Sequence, residues 1–278
     1  MDELIKKLFK NSEEMLSGCL YMMSAKKRHA IYGICAFAEI IDDILNSKQT
    51  TSKKIELLDA WQQEIEKFYN HAKLRSLAGR ALFKNFAGLN LVKEDFLVFI
   101  DNGRQELLNP PQVLSANKYN QSCDSKSGAF IRQLLRVLGC HNEEKIAKLS
   151  DCLGKALQTT VYLRDVKEDA ADGKIYMPKD CLQKAGISST KPSEIIVDNN
   201  LKLARSELGK FASFNYTEAF TEINSFDKKT SQRLKAFFYP YKYCFDVMEK
   251  RGWEIITPKP RITAFTKVWL LIKAYTEK

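Results

Sequence analysis

Apolar residues recur at intervals of three and four along almost the whole chain. Ile31, Ile34, Cys35, Ala38, Ile41 and Leu45 set the repeat, the period of one buried face of an α-helix. Similar spacing runs through 54–70, 78–88, 94–107, 126–139, 143–171, 200–222, 229–251 and 264–276. Strict apolar–polar alternation, the mark of a half-buried strand, is nearly absent. Gly and Pro punctuate the blocks, at Pro110–Pro111, Gly139, Gly173, Pro178, Gly186, Pro192 and Pro258–Pro260. No internal repeat is evident, and no stretch is long and polar enough to act as a linker. The pattern predicts a single all-α domain over residues 1–278, a bundle of eight to ten helices.

Composition narrows the partners. Of 278 residues 45% are hydrophobic, enough for a large core, so the chain is not a disordered one. Its 44 basic and 34 acidic side chains leave a net charge of +10, which favours nucleic acid, anionic lipid or phosphorylated small molecules. Lysine is spread evenly rather than gathered into an arm or patch, which argues against nucleic acid. Seven cysteines without a C-x-x-C point to buried thiols in a reducing compartment. "MDELIKKLFK" has no secretory character, and the longest apolar runs, "FLVFI" and "VWLLI", fall far short of the ~18 residues of a membrane span. The expectation is a cytoplasmic protein. The basic segment "KPRITAFTKVWLLIKAY" reads first as an amphipathic closing helix and second as a peripheral contact with an anionic inner-membrane surface. His29, His71 and His141 lack metal-ligand spacing. No G-x-G-x-x-G, P-loop or nucleophile elbow occurs, so a dinucleotide such as NADPH is not indicated. The oligomeric state is not legible.

Two segments carry the candidate chemistry. In "AEIIDDILNS", Glu39, Asp42, Asp43 and Asn46 lie at offsets 0, 3, 4 and 7, one polar stripe opposite Ile40, Ile41, Ile44 and Leu45. Adjacent carboxylates repel unless a cation sits among them. The apolar run before the stripe predicts that it lies inside the bundle. In "QTTVYLRDVKEDAADGKIYMP", Gln158, Asp165, Asp169 and Asp172 fall near one face with Glu168 at its edge, and Gly173 ends the helix before an extended or turn segment. A solvated acidic helix face explains either segment alone. Two of them in one basic helical chain suit Mg²⁺, which takes one or two carboxylates together with substrate phosphates and water.

These residues resemble the squalene/phytoene synthases, the head-to-head prenyl synthases. "KKRHAIYGICAFAEIIDDIL" is similar to the family's first Asp-rich helix, and "FLVFIDNGRQELL" to its middle segment. "YNQSCDSKSGAFIRQLLRVLG" resembles the following helix, with Tyr119, Gly128 and Gly139 in place. "QTTVYLRDVKEDAADGKIYMPKDCL" is the strongest match, to the signature Q-x-x-N-x-x-R-D-x-x-E-D-x-x-x-G-R-x-Y-x-P. "YKYCFDVMEKRGWEII" and "KVWLLIKAY" resemble the C-terminal helices. The resemblance spans roughly residues 15–276.

The resemblance implies an isoprenoid synthase bundle around a central apolar cavity. It implies Mg²⁺-dependent head-to-head condensation (Mn²⁺ as a substitute) of two farnesyl or geranylgeranyl diphosphates through a cyclopropyl intermediate to a squalene-like or phytoene-like hydrocarbon. It places Asp42, Asp43, Asp165, Asp169 and Tyr241 in catalysis and Arg28, Gln158, Arg164 and Lys174 at diphosphate. As metal ligands it suggests Asp42, Asn46, Asp165 and Asp169, with Glu39 joining them. Tyr176 and Pro178 read as structural.

The chain departs from the family at functional positions. Asn46 replaces the last Asp of D-D-x-x-D, Glu39 an Arg, Cys35 a Tyr, Val161 the Asn before Arg-Asp, and Glu106 an Asp. One reading is a rearranged active site in which Glu39, one helical turn from Asp43, supplies the missing carboxylate. The other is a non-catalytic relative acting as a scaffold, assembly factor or lipid-binding protein.

Overall fold

The computed structural model describes residues 19–110, 113–255 and 258–277. Among them twelve α-helices follow in order: α1 (Ala25–Asn46), α2 (Thr51–Tyr69), α3 (Leu77–Phe83), α4 (Lys93–Leu108), α5 (Ala116–Cys123), α6 (Ala129–Leu138), α7 (Glu143–Ala171), α8 (Lys179–Lys184), α9 (Pro192–Ile195), α10 (Leu201–Asn224), α11 (Lys228–Lys250) and α12 (Ala264–Thr276). Strand-type pairing among them amounts to one parallel bridge, Leu114 with Pro178. The all-α expectation holds, and the long helices sit where the periodicity put them. Two blocks differ. The helix expected over 78–88 ends at Phe83, and that over 126–139 is broken by a π-helical turn, Asp124–Gly128, joining α5 to α6. Helices α8 and α9 are too short to show a period.

The chain gathers into two compact units, Met1–Asn109 with Ala129–Ala147, and Pro110–Gly128 with Lys148–Lys278. In the first, Phe37 of α1 is fully buried. It meets Trp61, Phe96 and Phe99 edge-on, with centroids 5.9, 5.4 and 6.1 Å away. Truncating such a ring to Ala costs roughly 3–5 kcal/mol. Gly33 belongs to the same packing, because a Cβ there would stand 2.7 Å from Phe86 Cε1. Val92 offers no side chain to cap α4, and buried Gln133 of α6 supplies the bonds instead. Its Nε2 donates to the Val92 carbonyl (2.8 Å) and its Oε1 accepts from the Val92 N–H (3.3 Å).

In the second unit α7 meets the π turn backbone to backbone. A Cβ on Gly154 would lie 2.8 Å from Gly128 Cα and 2.9 Å from its nitrogen, so only glycine allows the approach. The Thr160 hydroxyl bonds the Tyr216 hydroxyl at 2.8 Å, joining α7 to α10. Arg205, 3% exposed, donates to the Leu163 carbonyl on α7 at 2.9 Å and to the Trp253 carbonyl beyond α11. Trp253 holds φ +64, a region costly for a bulky residue. Its indole fills the space over Gly209, where a Cβ would come within 2.4 Å of it. Helix α12 lies along α11 through buried Leu270 and Ala274.

Candidate active site

The C-terminal half of α7 positions most of the second carboxylate segment within the second unit. The Gly173 N–H bonds the Ala170 carbonyl and the Lys174 N–H the Asp169 carbonyl (2.8 Å), with Gly173 at φ +73. This glycine closure ends the helix directly after its acidic turn. The chain then runs extended to Pro178, where the Leu114 N–H donates to the Met177 carbonyl at 3.2 Å and the Lys179 N–H to the Leu114 carbonyl at 2.8 Å. Tyr176 is thereby laid flat on Tyr162 of α7, rings 4.2 Å apart and 4° from parallel. The expected structural role of Tyr176 and Pro178 agrees with this packing.

Asp165 is the centre of an ion-pair cluster. Arg164 grips it with both nitrogen types, Nε to Oδ1 at 3.0 Å and Nη2 to Oδ2 at 2.7 Å. Lys259, from the loop before α12, reaches Asp165 Oδ1 and Glu168 Oε2, each at 2.7 Å. Burial pushes the Asp165 carboxyl up, but Arg164 and Lys259 outweigh it and hold it below the usual range. Arg164 is likewise opposed by burial and held charged by Asp165, with Cys244 and Tyr241 of α11 near enough to act on it.

Asp169 stands one turn on and is treated differently. Burial and then the neighbouring Asp165 charge push its carboxyl up to about 7, against the pull of Lys126, Lys174 and Lys259. Lys126 comes from the π turn and lies over the stacked tyrosines, 4.9 Å from the Tyr176 centroid and 5.8 Å from that of Tyr162. The residue after it, Ser127, donates to Oε1 of Gln158 at 2.8 Å. Gln158 is thus held in place, 6% exposed. A π turn between two helices is a frequent device for aiming side chains at a functional centre.

The first segment lies in the other unit. Arg28 is half-buried near the start of α1. Glu39 is half-buried, and Asp42, Asp43 and Asn46 are exposed on its last turns. This corrects the expectation that the stripe is enclosed. The apolar face of α1 (Ile34, Cys35, Ile41, Leu45) takes the core, and a helix that buries one face presents the other to solvent.

Among the described residues no group of three or more His, Cys, Asp or Glu side chains converges on a metal position. The donors of the second unit nevertheless suit Mg²⁺. Asp165 and Asp169 could offer two hard oxygen ligands, the number this ion commonly takes before phosphate and water complete its shell. Burial and the Asp165 charge oppose ionisation of Asp169, so an arriving cation would stabilise its charged form. Val161, where a carboxamide ligand was the family expectation, is apolar and half-buried. The cations that converge instead are Lys126 and Lys259. Sequence reasoning missed both, since nothing in spacing marks lysines 39 residues before and 94 residues after Asp165.

Comparison with known proteins follows the same lines. A family model described as squalene/phytoene synthase matches residues 10–266. A presqualene diphosphate synthase from Sinorhizobium fredii is 28% identical over 247 residues, covering 89% of this chain and 88% of its own. A crystal structure of a dehydrosqualene synthase superposes with a TM-score of 0.83 at 21% identity, over 98% of this chain and 94% of that one. A squalene synthase from Alicyclobacillus acidocaldarius gives 0.78 at 21% identity, over 91% and 95%. The helical architecture is that of the isoprenoid synthases.

Proposed function

The chain belongs to the squalene/phytoene synthase family, and on that premise we propose that it condenses two molecules of farnesyl diphosphate head to head and releases presqualene diphosphate. Head-to-head prenyl condensation is the general chemistry of the family. The choice of substrate and product follows the relative named for that product. In this reaction one allylic diphosphate loses pyrophosphate. Its C1 bonds to both carbons of the 2,3 double bond of the other and gives up one of its own protons, which closes the cyclopropane, while C1 of the second molecule keeps its diphosphate. One pyrophosphate leaves, and one diphosphate stays on the thirty-carbon product.

The observation that carries the reading is the convergence of Arg164, Lys126, Lys174 and Lys259 on Asp165 and Asp169. Four cations within electrostatic reach of two carboxylates, two of them in direct contact with Asp165, suit a trianionic leaving group better than they suit a buried structural ion pair. Arg164 and the three lysines would hold diphosphate oxygens, with Gln158, held by Ser127, beside them on α7 and Arg28 proposed as a further diphosphate contact. Asp165 and Asp169 would hold Mg²⁺, or Mn²⁺ in its place, which supplies charge to the departing oxygens. Asp42 and Asp43, with Glu39 and Asn46, are assigned to the same metal chemistry as the first motif. Tyr241, close enough to Arg164 to act on its charge, would turn its aromatic face to positive charge on the substrate. Residues 1–278 act in this scheme as one synthase domain, and no reductant is required.

The test is incubation of the purified protein with farnesyl diphosphate and Mg²⁺, counting pyrophosphate against products resolved by mass. One pyrophosphate per two farnesyl groups, and a product retaining a diphosphate, is expected. A hydrocarbon product with two pyrophosphates released would replace presqualene diphosphate as the product. No release from farnesyl or geranylgeranyl diphosphate, where a known relative turns over, would overturn the enzymatic reading.

A further inference from the structure

Arg205 of α10 is a buried cation with no carboxylate in contact among the described residues. Its Nη2 donates to the Leu163 carbonyl at 2.9 Å and lies 3.9 Å from the Met248 sulfur, and its Nη1 donates to the Trp253 carbonyl. Its Nε is buried without a hydrogen-bond partner among those residues. Burial pushes the guanidinium down to about 10, and Glu254, itself paired with Lys202 at 3.0 Å, acts the other way. A charge so placed costs stability, and an apolar side chain of similar size would avoid the cost. What the guanidinium supplies instead is a planar fork that joins two acceptors at a fixed span.

Those acceptors belong to separate elements. Leu163 lies on α7, two residues before Asp165, and Trp253 lies in the turn after α11, six residues before Lys259. The turn is set from several sides. Trp253 holds φ +64, its N–H donates to the Met248 carbonyl at 3.1 Å, and its indole meets Phe245 edge-on at 5.3 Å while covering Gly209. A bulky residue keeps such a φ only where its surroundings over-determine it. Further along, Arg251 Nη1 donates to the Pro258 carbonyl at 2.9 Å. Lys259 stands between Pro258 and Pro260, and the proline after it disfavours a helical backbone at Lys259 itself. The backbone that carries this ammonium is constrained on both sides. Arg205 bonds the α7 backbone beside Asp165 and also the turn that leads to Lys259.

We propose that Arg205 is a positioning residue, which by joining the Leu163 and Trp253 carbonyls brings the Lys259 ammonium to Asp165 in place to meet the diphosphate. Its part in turnover rests on the reaction assigned above, and the tether itself does not.

The test has two readouts on the full chain. The first needs no substrate: acetylation of each lysine by a limiting dose of acetic anhydride, followed by mass spectrometry. Lys259, paired with Asp165 and Glu168, should label slowly. In Arg205→Met its rate should rise about fivefold, the worth of one or two lost hydrogen bonds. Lys53, paired with Glu56 at 2.7 Å on α2, should keep its rate. The second readout is kcat/KM, which should fall about tenfold or more in Arg205→Met through misplacement of a charge at the reacting groups. Arg205→Lys, which can reach one carbonyl at a time, should recover part of both effects. In a chain already carrying Lys259→Met, adding Arg205→Met should lower kcat/KM by less than about twofold further, because the residue it positions is gone. A residue that only supports the fold would take the same factor in both backgrounds. Gly209→Ala presses a methyl into the Trp253 indole and leaves Arg205 intact. It should free Lys259 in the same way, and it carries the test if Arg205→Met does not fold. Lys259 labelling unchanged in these variants would overturn the proposal. So would losses that multiply in full in the double variant. A parent that turns over no prenyl diphosphate would overturn the reaction assigned above, and the labelling distinguishes that failure from this one.

Discussion

Lys259 places its ammonium 2.7 Å from the carboxylate of Asp165, a residue 94 positions earlier in the chain, and the same distance from Glu168 one turn along α7. The pair is partly shielded, with the Lys259 side chain 36% exposed and that of Asp165 23%. A charge so placed holds Asp165 ionised and in position before any ligand arrives. Replacing Lys259 with Met should lower kcat/KM for the prenyl diphosphate about tenfold or more, since truncating one member of a hydrogen-bonded charge pair leaves the other poorly compensated. Lys259→Arg should recover part of the loss. Pyrophosphate release measured beside a thermal melt separates this from unfolding. Activity within twofold of the parent would remove Lys259 from the site.

Asp169 makes stability depend on pH in an unusual direction. Its carboxyl sits at about 7 in the folded chain against an ordinary value near 3.8. Between those values the folded state holds a proton that the unfolded state has lost. Stability from this group therefore falls as pH rises from about 4 to about 7 and is level above. In Mg²⁺-free buffer Asp169→Asn should raise the melting temperature at pH 8 by several degrees and change it little at pH 4. The same substitution should abolish turnover. A melting temperature equally shifted at both pH values would show that the carboxyl is not raised.

Glu64 works in the opposite sense. It is 6% exposed and accepts the Arg75 N–H (3.0 Å), the Ser76 N–H (3.1 Å) and the Ser76 hydroxyl (3.0 Å). Burial pushes its carboxyl up, but these bonds outweigh it and lower it below the usual 4.5. Its contribution is present above about pH 4.5 and lost as pH falls through the depressed value. Glu64→Ala should cost about 2 kcal/mol at pH 7 by urea unfolding, because buried donors lose a charged acceptor. The difference from the parent should shrink at pH 3.

The Gly128–Gly154 crossing sets the position of Lys126 and Ser127. Gly154→Ala would put a methyl 2.8 Å from the Gly128 Cα. Neither partner is a flexible side chain, so the backbone must separate, at a cost of roughly 1–3 kcal/mol. Activity should fall further than stability explains, because the π turn moves with Gly128. Gly173→Ala offers a contrast. It meets no neighbour within 4 Å but sits at φ +73, so it should loosen the end of α7 through backbone strain alone.

The sequence determined the long helices and the apolar faces they bury by itself. Periods of three and four placed α1, α2, α4, α7, α10, α11 and α12 because a helix facing a core must repeat its apolar residues at its own pitch. It also determined the family, through a signature confined to one helix and the turn after it, where neighbours in sequence are neighbours in space. The tertiary structure decided which cations serve Asp165 and Asp169. Lys126 and Lys259 are ordinary lysines in a chain rich in them, and only folding brings a π turn and a distant loop to the same carboxylates. It decided that Asp42, Asp43 and Asn46 are exposed rather than enclosed, because helical pitch says which residues share a face and not what covers it. It decided likewise that the second apolar stripe of α12 stays uncovered.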